Sequence, residues 1–245
     1  MGILINRYTN DVAWQTIAGD LTLPQAGEVH VWRVNITANL KRLGAFQKLL
    51  KSNEMLRGDR YMQLKDRQRF VISRAMQRII LGRYLNANPE ELTFELGNNK
   101  KPYLPTGNGT ELQYNISHAG DWILLAVSQA VVGADVEYVD PNLPFDDILP
   151  GNFTEKETEF VKATDATNRF YQLRTRKEAF LKATGQGLGD HLRDTPSLDG
   201  EHNLKASLHG ADKDWDQQSF LVAEDYLASV TAAGKWQLKA FDVNF

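Results

Sequence analysis

Apolar residues spaced three and four apart mark the helical stretches of this chain, and alternating ones mark its strands. Phe70, Val71, Ala75, Ile79 and Ile80 predict a long helix over about 65–85, and Leu40, Leu43, Phe46 and Leu50 an amphipathic one over 37–51. Asn88-Pro89-Glu90-Glu91 reads as the start of a short helical turn. Thr154-Glu155-Lys156-Glu157 is a capping-box signature that opens a helix over 154–163. Phe170, Leu173, Lys177, Phe180 and Leu181 form the inward stripe of a further helix over about 167–184. Gly185 and Gly187 then supply the positive-φ positions that end it. Alternating or continuously apolar runs predict strands over 28–36, 93–96, 111–116, 122–128 and 131–139, and again over 219–222, 226–231 and 236–243. Residues 1–27 show no clear period, and 189–203 read as loop. The run Asp121-Trp122-Ile123-Leu124-Leu125-Ala126-Val127 has a weak echo in Asp225-Tyr226-Leu227-Ala228-Ser229-Val230. Each follows a helix-rich stretch, as two similar α+β halves would require.

Composition narrows the class. The 245 residues suffice for one large domain or two small ones, and 42% hydrophobic with 24% charged residues is ordinary for a globular protein. No run of eighteen apolar residues suggests a membrane span, and Met1-Gly2-Ile3-Leu4-Ile5-Asn6-Arg7 does not read as a signal peptide, so the cytoplasm is the expected location. With no cysteine, disulfides, thiolate nucleophiles and cysteine–zinc sites are excluded. The net charge of −3 hides an asymmetry: between Lys41 and Arg83 twelve basic residues face only Glu54, Asp59 and Asp66. A surplus of nine in one segment points to an anionic partner or to solvated helix faces.

Two acidic groups carry the candidate chemistry. Asp135 and Glu137, at i and i+2 of a strand, present their carboxylates to one side while Val136 faces the core. Such a pair repels itself unless a cation lies between, and hard oxygen ligands suit Mg²⁺. Glu178 and Lys182, at i and i+4, share a helix face beside the apolar stripe and next to a glycine turn, which suits a bound phosphate and its metal. Taken alone, each group also fits a solvated surface, and Thr175-Arg176-Lys177-Glu178 matches a capping box.

Taken together, the motifs resemble one family. Gly133-Ala134-Asp135-Val136-Glu137, then Lys177-Glu178-Ala179 and Lys182 about forty residues on, are similar to the signature of the 4′-phosphopantetheinyl transferases, and of the longer, Sfp-type branch in particular. Lys101-Pro102, Asn115-Ile116-Ser117-His118 and Phe153-Thr154-Glu155-Lys156-Glu157 agree in order, so the resemblance covers about residues 55–188. It implies an α+β fold of two similar halves related by a pseudo-twofold, divided here as 1–130 and 131–245. It implies transfer of the phosphopantetheine arm of coenzyme A, the co-substrate, to a serine of an acyl or peptidyl carrier protein, with release of adenosine 3′,5′-bisphosphate. The resemblance assigns Asp135, Glu137 and Glu178 to Mg²⁺, and Lys182 to the phosphates, with Glu178 and Lys182 acting in catalysis. Ser117, His118, Arg69, Lys101, Pro102 and, less directly, Arg57 fall to the coenzyme A nucleotide. It offers Glu157 as the base for the serine proton, although the capping box offers that residue a structural role too.

The same resemblance suggests a monomer with its site between the halves and an acidic carrier steered by the basic segment. This chain departs from the family in having Arg174 where a Trp is usual; at i−4 to Glu178 it can pair with that acid and compete with the metal. Ala134 replaces a bulkier aliphatic residue, and Asn98-Asn99-Lys100 lengthen the turn before Lys101. Two alternatives remain: a relative that binds coenzyme A with little turnover, and a nucleic-acid-binding module using residues 41–83, for which no nucleic-acid motif is present.

Overall fold

The alternating and helix-period stretches become two five-stranded sheets and two long helices in a computed structural model, which describes residues 1–16, 21–97, 102–105, 112–187, 189 and 191–243. In chain order the first part runs β1 (Ile3–Tyr8), β2 (Trp14–Thr16), β3 (Glu28–Asn35), α1 (Ile36–Asn39), α2 (Leu43–Leu49), α3 (Ser52–Gly58) and α4 (Leu64–Leu85). It continues with β4 (Glu95–Leu96), β5 (Pro102–Tyr103), β6 (Gln113–Ala119) and β7 (Trp122–Ser128). The second part runs β8 (Val132–Tyr138), α5 (Leu149–Asn152), α6 (Glu155–Ala163), α7 (Ala166–Thr184), β9 (Gly200–Asn203), β10 (Trp215–Ala223), β11 (Tyr226–Ala233) and β12 (Gln237–Asp242).

The sheets have the orders β9-β1-β10-β11-β8 and β6-β7-β3-β12-β2. Each contains one antiparallel unit of three strands, β3–β7–β6 or β8–β11–β10, and in each the long helix follows the first strand of the unit. β7 and β11, which carry the sequence echo, are the middle strands of the two units. The chain ends cross over. β1 pairs in parallel with β10, and β12 pairs in parallel with β3, so each terminal strand joins the sheet built mainly by the opposite half.

Burial explains the apolar runs. Ile123, Leu125 and Val127 of β7 pack with Phe70, Ile72 and Met76 of α4, whereas Leu124 and Ala126 pack with Ala134, Val136, Phe220 and Val230 of the other sheet. A strand covered on both faces reads as continuously apolar rather than alternating. On the far side, Phe180 and Leu181 of α7 pack with Leu4 and Trp215.

Several elements differ from expectation. The 37–51 helix is broken into α1, a 3₁₀ turn over 40–42 and α2; Asn39 donates back to the Asn35 carbonyl, and Gly44 weakens the next turn. β1 lies in a stretch with no clear period because Asn6 and Arg7 interrupt its apolar run. β10 begins four residues early because Trp215, Asp216, Gln217 and Gln218 are buried in spite of three polar side chains, Gln217 donating to the Arg176 carbonyl at 2.8 Å. The stretch 88–91 is a single turn, closed by the Glu91 N–H donating to the Asn88 carbonyl at 3.0 Å, and no helix continues from it. Residues 98–101 and 111 lie outside the described residues.

Candidate active site

The site forms where the edges of the two sheets meet. β8 ends one sheet and β6 the other, so each has an outer row of backbone groups to satisfy. Asn115 Oδ1 accepts the Ala134 N–H at 2.9 Å, and Ser117 Oγ accepts that of Val136 at 3.4 Å. Side chains of β6 thus close the exposed edge of β8 and place Ser117 and His118 beside the acids. From the other side α7 presses on Gly133, where a Cβ would lie 2.2 Å from the Ala179 carbonyl oxygen and 2.3 Å from the Ala183 nitrogen. Only glycine permits that approach. It brings Glu178 and Lys182, each one residue before a contact residue, up to Asp135.

Asp135, Glu137 and Glu178 each offer a carboxylate oxygen within 4.8 Å of the others. Asp135 Oδ1 accepts from Ser117 Oγ at 3.0 Å and from Lys182 Nζ at 2.5 Å, and Lys182 Nζ also reaches Ser117 Oγ at 3.1 Å. Asp135 Oδ2 is buried and has no hydrogen-bond partner among the described residues. Arg174 bridges the other two acids, with Nε 3.2 Å from Glu137 Oε1 and Nη2 2.8 Å from Glu178 Oε1. Burial, then the charge of Asp135, pushes the Glu178 carboxyl up to about 7, and the same causes raise Glu137.

These groups line a cavity of about 460 Å³ that also takes in Ser117, His118, Arg57, Tyr61, Phe70, Ser73, Arg74, Gln77 and Pro102. His118 is exposed at its edge yet crowded. Desolvation, then the nearby positive charge of Arg69, holds its imidazole below the ordinary value. Arg57 lies on the Phe70 ring, 5.6 Å from its centroid. Arg69 does not line this cavity; it pairs with Asp66 at 2.9 Å and borders a neighbouring hollow with Thr37 and Asp121. Lys101 lies outside the described residues. Arg74, Ser73 and Gln77 were not singled out from the sequence, where Arg74 was one of twelve basic residues; its position one turn from both Phe70 and Arg78 is the available signal.

Glu157 lies elsewhere. Its Oε2 accepts from the Thr154 N–H at 2.8 Å, from Thr154 Oγ1 at 3.1 Å and from Lys177 Nζ at 3.0 Å, while Oε1 accepts from the Ser197 N–H at 3.0 Å and Ser197 Oγ at 2.5 Å. Lys177, on the inward stripe of α7, spends its other protons on the carbonyls of Leu192 and Thr195. Glu157 is absent from the residues lining the cavity. Thr175, offered as a cap, instead sits inside α7 and bonds the Gln172 carbonyl.

The basic surplus is partly internal. Arg78 is 1% exposed and holds Glu54 and the carbonyls of Pro89 and Leu92, so this guanidinium faces no partner. No described helix is long and apolar enough to cross a membrane.

Comparison with known proteins agrees with this geometry. Residues 37–130 match the model for the 4′-phosphopantetheinyl transferase N-terminal domain, and residues 131–231 that for the 4′-phosphopantetheinyl transferase superfamily. The chain is 29% identical to 4′-phosphopantetheinyl transferase HetI of Nostoc sp. over 92% of this chain and 96% of that protein. It is 36% identical to putative 4′-phosphopantetheinyl transferase slr0495 of Synechocystis sp., over 60% of this chain and 61% of that protein. The match to 4′-phosphopantetheinyl transferase Sfp of Bacillus subtilis is 27% identical and covers 53% and 57%. With adjoining family models over 37–231, a nearly end-to-end match to HetI and three acids gathered where the two sheets meet, the chain belongs to the Sfp-type 4′-phosphopantetheinyl transferase family, enzymes that transfer phosphopantetheine to carrier proteins.

Proposed function

We propose that the cavity between β6, β8 and α7 binds coenzyme A and a divalent cation and passes the phosphopantetheine arm to the serine of an acidic acyl or peptidyl carrier protein. The serine oxygen bonds to the phosphorus that carries the arm, the bond to the nucleotide phosphate breaks, and adenosine 3′,5′-bisphosphate leaves. The reading rests on one observation: three carboxylates and the Lys182 ammonium converge on a cavity rimmed by Ser117 and His118.

The donor set fits Mg²⁺. Asp135, Glu137 and Glu178 supply only hard oxygens, and the buried, unpartnered Oδ2 of Asp135 is an acceptor that protein donors leave free. When bound there, Mg²⁺ would neutralise negative charge on the diphosphate. Lys182 uses two of its three N–H groups on Asp135 and Ser117, which fixes the ammonium and leaves the third for a phosphate oxygen. His118, Arg57 and Arg69 supply positive or hydrogen-bonding groups at the nucleotide end, Pro102 at the start of β5 lines the same cavity, and Lys101 is assigned there from the family resemblance alone. The serine proton passes to solvent in the cavity, because the ion would occupy all three cavity acids, Glu178 among them. Glu157, with both oxygens engaged inside the protein, is read as a clamp. We take the protein to act as a monomer, since acids from β8 and α7 and nucleotide-side groups from α3 and β6 meet within one fold, and to act in the cytoplasm as Sfp-type enzymes generally do.

Incubation with labelled coenzyme A, Mg²⁺ and a panel of apo-carriers tests the activity. Covalent label on at least one carrier serine is expected. Coenzyme A binding without labelling of any carrier would favour the idle relative instead.

A further inference from the structure

We propose, resting on the metal reading above, that Arg174 is a resident cation that competes with the divalent ion for Glu137 and Glu178 and sets how tightly the coenzyme-free protein holds it. The guanidinium spans from its own helix to β8, taking one oxygen of each acid at 3.2 and 2.8 Å. Those are two of the three carboxylates that would ligate the ion. Lys182 already holds the third through Oδ1 of Asp135. With all three acids ionised, three negative charges face two positive ones, so an entering divalent ion with both cations in place would leave the cluster net positive. With Arg174 withdrawn, the ion and Lys182 balance the three acids.

Of the two cations, Arg174 is the one able to leave. Its side chain is 34% exposed, against 25% for Lys182, and its partners Glu137 and Glu178 are more accessible than Asp135. A site whose competent form requires a resident group to withdraw binds with an apparent affinity lowered by the fraction of time it is free. Repulsion between the guanidinium and the ion adds to that loss. Coenzyme A, arriving with its own negative phosphates, would restore the balance, so metal loading depends on the nucleotide.

Mn²⁺ titration of the full chain without coenzyme A, followed by the electron paramagnetic resonance signal of free Mn²⁺, tests this independently of turnover. Arg174→Met should bind Mn²⁺ at least about tenfold more tightly than wild type. Arg174→Gln, as a second uncharged variant, should do the same, whereas Arg174→Lys should stay within about threefold of wild type. Adding Asp135→Asn to Arg174→Met should abolish the gain. Equal or weaker binding by both uncharged variants, with melting curves showing folded protein, overturns the proposal and makes Arg174 a residue that orients the acids. If Asp135→Asn alone binds Mn²⁺ as wild type does, the metal reading of the cleft fails, and this inference falls with it.

Discussion

Lys177 and Glu178 are neighbours on α7, yet they belong to opposite kinds of ionic cluster. Lys177 and Glu157 are 0% and 3% exposed, and every proton of the ammonium and both oxygens of the carboxylate have protein partners. The pair ties α6 and α7 to the 192–197 segment, and Arg176 adds bonds to Ser219, the Ser197 carbonyl and Asp199. One residue on, Glu178 joins a cluster that is crowded with like charge, borders a cavity and leaves Asp135 Oδ2 unpartnered. The closed cluster has its ammonium protons and both carboxylate oxygens taken up within the protein. The open one carries a deficit of positive charge that a ligand can fill, so incompleteness, rather than the presence of ionic groups, distinguishes a site from a brace.

The largest effect should come from breaking the open cluster. Glu178→Ala is expected to lower carrier modification by at least about 10³-fold, followed by mass spectrometry. Its melting temperature should not fall, because a crowded negative charge is removed. Near-normal turnover in this variant would refute the assignment of Glu178. Breaking the closed cluster should do the reverse: Glu157→Ala strands Lys177 without its charge partner and should cost about 3–5 kcal/mol in urea denaturation. Folded Glu157→Ala should keep its Mn²⁺ affinity, and a selective loss of turnover at unchanged stability would return Glu157 to the role of base.

pH separates the clusters further. The Glu178 carboxyl stands at about 7 in the folded chain against an ordinary 4.5. A folded value above the unfolded one favours the native state below the unfolded pKa, and that contribution disappears as pH rises through the folded pKa. Metal-free protein should therefore lose about 2 kcal/mol between pH 5 and 8 relative to Glu178→Gln, which cannot ionise. Parallel stability–pH curves for the two proteins would contradict this. The smallest effect concerns the rim. His118→Ala should weaken coenzyme A binding about tenfold by calorimetry. Because burial and Arg69 hold the free imidazole below its ordinary value, wild-type binding should tighten as pH falls toward 5.5 and the ring gains a proton, while the variant shows no such trend.

What could be read from the sequence follows the range of the interactions involved. Asp135 with Glu137, and Glu178 with Lys182, share faces by strand and helix periods alone, so their convergence needed only the two elements to meet. That meeting depends on Gly133, whose missing side chain leaves no period to detect. Thr154 and Glu157 announced a cap, which is present, but the second oxygen of Glu157 bonds Ser197, forty residues away. No local pattern reports such a contact. Arg69 and Arg74 lie on one helix with equal claims from charge, and only the way α4 packs decides that Arg74 faces the cavity and Arg69 the neighbouring hollow. β1 has no legible period because buried Asn6, which donates to the Pro196 and Leu198 carbonyls, and exposed Arg7 interrupt it, whereas the start of β10 is masked by polar residues buried against α7 and the neighbouring strands.

Anomalous diffraction from the protein crystallised with Mn²⁺ and coenzyme A tests the central claim most directly. The account predicts one strong peak among the carboxylates of Asp135, Glu137 and Glu178, next to the diphosphate, with the Arg174 guanidinium withdrawn from at least one acid. A diphosphate bound in the cavity with no metal peak among these three side chains would contradict it.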